Sequence, residues 1–142
     1  MAYLLDTNVV SASRRPDRQT VEFRAFLREF DVDKAFLSAI TVMEIEFGIE
    51  RQRGRNQVFA EDLSRWFTTV VLPAFNGRIL PFDEEVAILT ARLPTADKRP
   101  TADAMIAATA RHHGLVLITR NLADFKPFGV VCLNPWDRPP AN

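Results

Sequence analysis

The sequence predicts an α/β domain with a mainly parallel sheet covered on both faces. Three observations point there. The strand candidates are short, apolar runs, as in strands buried on both sides. Helix-length segments with 3.6-residue patterning separate them. Capping residues and prolines punctuate the boundaries. Alternation of this kind gives helices on both faces of a parallel sheet.

Each element follows in order. Tyr3-Leu4-Leu5 reads as a first strand running into Asp6. Asp6-Thr7-Asn8 supplies cap-type residues for a short helix beginning Val9-Val10-Ser11-Ala12. Arg14-Arg15-Pro16-Asp17 is a polar break. From Arg18 to Phe30, residues Val21, Phe23, Phe26, Leu27 and Phe30 recur at helical spacing. Ala35 to Ser38 is a second strand, and Ile40 to Gln52 a helix ended near Gly54. Gln57 to Leu72 reads as a helix stopped by Pro73. Arg78 to Phe82 is a third strand. Asp83, Glu84 and Glu85 place acids in the first turn of a helix that Pro94 ends. After a polar loop, Thr101 to His113 is an alanine-rich helix closed by Gly114. Leu115 to Thr119 is the clearest strand. Asn121 to Phe128 reads as a loop and Val130 to Leu133 as a last strand. Residues 1–134 make one domain, and Pro135 to Asn142 a Pro-rich, loosely held tail.

With 142 residues the chain is one domain's worth and can build a core without staples. Eighteen basic residues balance eighteen acidic ones. That excludes a generic nucleic-acid coat, which needs a basic surface, but not an enzyme acting on nucleic acid at a local site. The single cysteine, Cys132, rules out a disulfide scaffold and a cysteine-based zinc site within one chain. It suits a buried strand as a small hydrophobe and a reducing, cytoplasmic compartment. No basic, apolar leader opens the sequence and no run is long enough to span a membrane, so neither a signal peptide nor a membrane partner is expected.

In open parallel sheets, sites form outside the C-terminal ends of the strands. Asp6 follows the first strand; Thr119, Asn121 and Asp124 follow the strongest. Asp103 lies in the first turn of the helix feeding that strand, and Glu44 in the helix after the second. Four acids from distant segments thus stand within reach of one rim. Each also has an ordinary role open to it. Asp6 can cap the next helix, Asp103 can complement a helix dipole, Asp124 can serve a turn, and Glu44 can be a solvated charge. At 100° per residue the helical wheel does not choose between Glu44 and Glu46, because Val42, Ile45 and Ile49 make the other side apolar too. His112 and His113 point ~100° apart, so they cannot chelate one ion; a late-turn histidine suits a helix C-terminus.

Leu4-Leu5-Asp6-Thr7-Asn8, then Ser38 through Glu44 to Gly48, then Asp103 through Thr119 and Asn121 to Phe125, stand in the order seen in PIN-domain ribonucleases. In particular the sequence resembles the VapC toxins of type II toxin–antitoxin systems, with Ile45 where leucine is common. The resemblance runs from Tyr3 to about Phe128; 55–100 carries no such motif. It implies a three-layer α/β/α sandwich with a parallel sheet of about five strands. It also implies catalytic and metal-binding roles for Asp6, Glu44, Asp103 and Asp124. Thr119 and Asn121 become an accessory pair. Some members carry an acid where Asn121 stands, which leaves open whether Asp124 binds metal directly or through water.

Clustered carboxylates repel, and Mg²⁺ or Mn²⁺ relieves that with hard oxygen ligands. Metal-activated water would then cut RNA, leaving 5′-phosphate and 3′-hydroxyl ends. Arg14, Arg15 and Arg120 are candidates for contacts to the RNA backbone, or plain solvated charges. The resemblance further implies a cognate antitoxin, a homodimer and a toxin–antitoxin hetero-oligomer. The Phe23, Phe26 and Phe30 stripe serves either core or interface, as do Trp66, Phe67 and Val70. Two other readings stay open. One is a PIN nuclease of RNA processing or DNA repair with no antitoxin; the other is a non-catalytic protein-binding module on this fold.

Overall fold

A computed structural model describes residues 1–137. Its centre is a five-stranded, all-parallel sheet made of β1 (Tyr3–Leu5), β2 (Ala35–Ser38), β3 (Ile79–Leu80), β4 (Val116–Ile118) and β5 (Cys132–Leu133). The strand order is β3-β2-β1-β4-β5. The chain first builds outward from β1 on one side, then returns to add β4 on the other. The switch point therefore lies between β1 and β4, where Leu5 pairs with Ile118. The expected α/β/α architecture is present.

Successive strand residues face opposite layers. Leu4 and Leu117 are fully buried against one helix layer, formed mainly by α7 (Ala102–His112). Ala104, Ala107, Ala108 and Ala110 are fully buried there. Their small side chains let the helix backbone lie close to its neighbours. Leu5 and Ile118 face the other layer. That layer contains α1 (Thr7–Ser13), α2 (Val21–Glu29), α3 (Ala39–Arg53) and α4 (Gln57–Trp66). Phe23, Ile45, Ile49 and Phe67 fill its core.

Local chemistry sets most boundaries. The Thr20 hydroxyl accepts from the Phe23 amide at 3.2 Å, which starts α2 after the expected Arg18. The polar break contains a 3-10 turn, Pro16–Arg18, with proline in its first turn. Pro73 does not stop the chain's helical course. After α4 comes a π-helical turn, Phe67–Val71, and then a short α5, Leu72–Ala74. Pro73 sits at the start of α5, where its missing N–H has no helical partner to lose. Residues 83–94 behave as expected, with Asp83 capping α6 (Glu84–Ala91).

The stretch 121–128 corrects the loop reading. It forms α8 (Leu122–Phe125) and a 3-10 turn, Lys126–Phe128, closed by Gly129 at φ +64°. Phe125 and Phe128 are three apart and both buried beside α7, so packing drives the turn. The tail is a second correction. Pro135 is buried, and Trp136 stacks on Phe23 at 4.2 Å and donates from Nε1 to Gln19 Oε1 at 3.2 Å. The fold therefore runs past the boundary expected at 134; residues 138–142 lie outside the described residues. Cys132 is half-buried rather than buried, and desolvation pushes its thiol pKa up. His112 pairs with Glu85 at 3.0 Å, in keeping with a surface role. Among the described residues no helix is long and apolar enough to cross a membrane.

The phenylalanine stripe divides. Phe23 is fully buried, whereas Phe26 and Phe30 are half-buried and stack on each other at 4.8 Å. These two line an apolar cavity of about 220 Å³ with Trp66 and Val70. Phe67 belongs to the core, Trp66 is half-buried and Val70 is exposed.

Candidate functional site

The switch point brings Asp6 and Thr119 together. Each is the residue directly after its strand, and the Asp6 amide continues the ladder by donating to the Ile118 carbonyl at 2.9 Å. Side chains 113 residues apart in sequence therefore meet. The Thr119 hydroxyl donates to Asp6 Oδ2 at 2.7 Å, with both residues buried. The Thr7 amide donates to Oδ1 at 2.8 Å and Asn8 Nδ2 to Oδ2 at 3.2 Å. Three donors thus fix the carboxylate's orientation. Asp6 is also the N-cap of α1, so the capping role and the site role coexist in one side chain.

Glu44 comes in from α3. Ser38 caps that helix by accepting from the Ile40 amide at 3.0 Å, which sets its start at the end of β2. Thr7 then donates from Oγ1 to Glu44 Oε1 at 2.7 Å, and the same hydroxyl lies 3.1 Å from Thr41 Oγ1. Of the two acids the helical wheel left open, Glu44 is the one this contact brings beside Thr7. Thr7, Asn8 and Thr41 were not singled out from the sequence as site residues. The signal for Thr41 was its position three residues before Glu44, on the same helix face.

Asp103 is half-buried in the first turn of α7, whose N-cap Thr101 accepts from the Ala104 amide at 3.1 Å. Burial, then the charges of Asp6, Glu44 and Asp124, push its carboxyl pKa up to about 6. Burial is also the largest influence on Asp6 and raises its pKa, against the three hydrogen bonds that lower it. Asp124 is exposed on α8 and lines an open depression with Asp103. Asn121 is exposed; its backbone amide donates to Thr119 Oγ1 at 3.1 Å.

Asp103 lies within reach of the charges of Asp6, Glu44 and Asp124, and Asp6 of that of Glu44, so the four acids share one rim, although no group of three His, Cys, Asp or Glu side chains among the described residues is positioned to hold a metal ion as it stands. Among the described residues, none of the four pairs with a basic side chain. An all-oxygen donor set with uncompensated negative charge fits a hard divalent cation.

The three arginines separate. Arg14 lies over the Phe59 ring at 5.4 Å and Arg120 over Trp136 at 4.9 Å. Arg15 is bound at the surface to Asp17, with Nη2 to Oδ2 at 2.9 Å.

Residues 3–127 match the sequence profile described as PIN domain. The chain belongs to the PIN-domain family. Toxin FitB of Neisseria gonorrhoeae is 38% identical over 140 residues, covering 94% of this chain and 97% of that protein. VapC ribonuclease Y4jK of Sinorhizobium fredii is 37% identical over 143 residues, with the same coverage. Among solved structures, FitAcB from Neisseria gonorrhoeae superposes with a TM-score of 0.82 at 36% identity, over 94% of this chain and 98% of that one. A toxin–antitoxin complex from Klebsiella pneumoniae superposes with a TM-score of 0.64 at 27% identity, over 96% of this PIN-domain chain and 100% of the other.

Proposed function

We propose that this PIN-domain chain is the toxin of a toxin–antitoxin pair, a ribonuclease that hydrolyses RNA phosphodiester bonds with Mg²⁺ or Mn²⁺ at the carboxylate rim. The observation that carries this is the rim itself: four acids from four elements, at the sheet's switch point, with no basic counter-charge among the described residues. Support for the toxin role comes from full-length relatives named as a toxin and as a VapC ribonuclease. Support for an antitoxin partner comes from the similarity to a toxin–antitoxin complex. A homodimer is part of the same proposal.

Asp6, Glu44 and Asp103 would hold the ion, with Asp124 on the exposed lip joining directly or through water. The ion supplies a water acidic enough to attack near neutral pH and offsets charge on the phosphate. Thr119 and Asn8 keep the Asp6 carboxylate aimed. Thr7 does the same for Glu44, and the ion would draw the spread carboxylates together. Asn121 stands beside Thr119, where its side chain can orient substrate or water. Arg14 and Arg120 lie over aromatic rings and pair with no carboxylate among the described residues, so their charge is available to the RNA backbone, whereas Arg15 is engaged with Asp17.

The test is end mapping of total RNA treated with purified wild-type chain or with Asp103→Asn. Wild type is expected to generate discrete new ends, and the variant at least roughly 100-fold fewer, about 2.7 kcal/mol of barrier. Equal cutting by both would overturn the reading.

A further inference from the structure

A groove leaves the rim between α1, α3 and α4. Glu44, Gly48 and Gln52 follow at four-residue spacing and stack along one face of α3. Thr7 and Ser11 of α1 form the matching stripe, which Arg14, the helix's C-cap, continues. Together they line a cleft of about 360 Å³, and Phe59 of α4 adds a further wall. Two of its residues, Thr7 and Glu44, are the hydrogen-bonded pair of the rim, so the cleft opens directly off the site.

Gly48 is the informative residue. Glycine is a poor helix former, yet it stands mid-way in the fifteen-residue α3. Its φ is not in the left-handed region, and a Cβ placed there meets no atom within 4 Å. The fold itself therefore gives no reason for glycine. What the absent side chain does is leave the cleft floor open.

The walls have a definite chemistry. Phe59 offers a flat aromatic surface, and the Arg14 guanidinium lies over its ring at 5.4 Å. Ser11 and Gln52 bring a hydroxyl and an amide, which can pair with a base edge. Single-stranded RNA is recognised by this combination: an unstacked base against an aromatic face, a cation for the backbone, and polar groups for the edge.

We propose that this cleft is a nucleotide subsite that takes one unstacked base flanking the scissile phosphate, packed on Phe59 with Arg14 at the backbone. The subsite rests on the ribonuclease reading above. Gly48 provides the room, and the base held there sets sequence preference on that side of the cut.

The experiment compares wild type, Gly48→Met and Phe59→Leu. Ends are mapped on total RNA, and kcat/KM is measured on an oligonucleotide copied from the strongest wild-type cut. Methionine is a good helix former and meets no protein atom at its Cβ, so Gly48→Met should melt no lower than wild type. In both variants, base preference is expected to flatten at one position flanking the cut and to persist elsewhere. The oligonucleotide's kcat/KM should fall about 5- to 150-fold, the range for losing one base–aromatic contact. Unchanged preference and rate in folded variants would overturn the subsite alone. So would intact RNA cleavage with loss of antitoxin binding, which would make the cleft a peptide seat. A wild-type chain that cuts no RNA would overturn the ribonuclease reading, and the subsite with it.

Discussion

Asp103→Asn should make the metal-free protein more stable at neutral pH while removing its activity. The Asp103 carboxyl has its pKa raised from 3.8 to about 6 by burial and by Asp6, Glu44 and Asp124. Near neutral pH its ionisation therefore opposes folding. A gap of about two pK units is worth ~3 kcal/mol at full effect, and solvent screening of a half-buried group cuts this to about 1–2 kcal/mol. The pH window follows from the direction of the shift. Below about pH 4 the group is protonated in both folded and unfolded chains and costs nothing. Between about pH 4 and pH 6 the folded state holds a proton that the unfolded state releases, so stability falls as pH rises. Above about pH 6 the penalty is complete. Asparagine never ionises. Urea unfolding in EDTA should show the variant more stable by about 1–2 kcal/mol near pH 7.5, with the gain vanishing near pH 4. No gain near neutral pH, or an equal gain at both, would refute the ionisation of a half-buried Asp103 beside like charges as the cause.

Other outcomes follow from the same geometry. EDTA should abolish RNA cleavage, with Mg²⁺ or Mn²⁺ restoring it and the products carrying 5′-phosphate and 3′-hydroxyl ends; persistent cleavage with 2′,3′-cyclic phosphate ends would point to attack by the RNA's own hydroxyl. Thr119→Val keeps the shape but removes the 2.7 Å donor to Asp6, so single-turnover cleavage should slow about tenfold or more, and a wild-type rate would show that aiming Asp6 does not matter. Phe23→Ala should cost about 3–5 kcal/mol in urea unfolding, because the ring is fully buried and stacked under Trp136; a loss below ~1 kcal/mol would mean that the site collapses freely.

The fold class was legible because each strand is a short apolar run and capped, helix-length segments separate most of them. The positions of Asp6 and Thr119 were legible for a related reason: both directly follow strands. What escaped reading was set by tertiary contact. Pro73 has the chemistry of a stop signal, but it falls at the first turn of a new helical segment, where proline is tolerated. The segment 121–128 is too short to show a period, and only the burial of Phe125 and Phe128 makes it helical. Trp136 stands among prolines and looks like tail; its partner Phe23 is more than a hundred residues away. Thr7 carries no signal of its own, and Thr41 only its spacing from Glu44, because a threonine becomes a positioning group only once a carboxylate is brought beside it.

The strand order has a consequence for the chain's birth. β1 is made first, but its neighbour β4 emerges only after residue 116, and Asp103, Thr119 and Asp124 all belong to the last third of the sequence. Half of the acid rim is thus missing throughout most of translation. At about 5–20 residues per second, the nascent polypeptide spends several seconds to some tens of seconds in that incomplete state. Competence arrives abruptly, when the final strands close onto a centre that has been waiting since the first few residues.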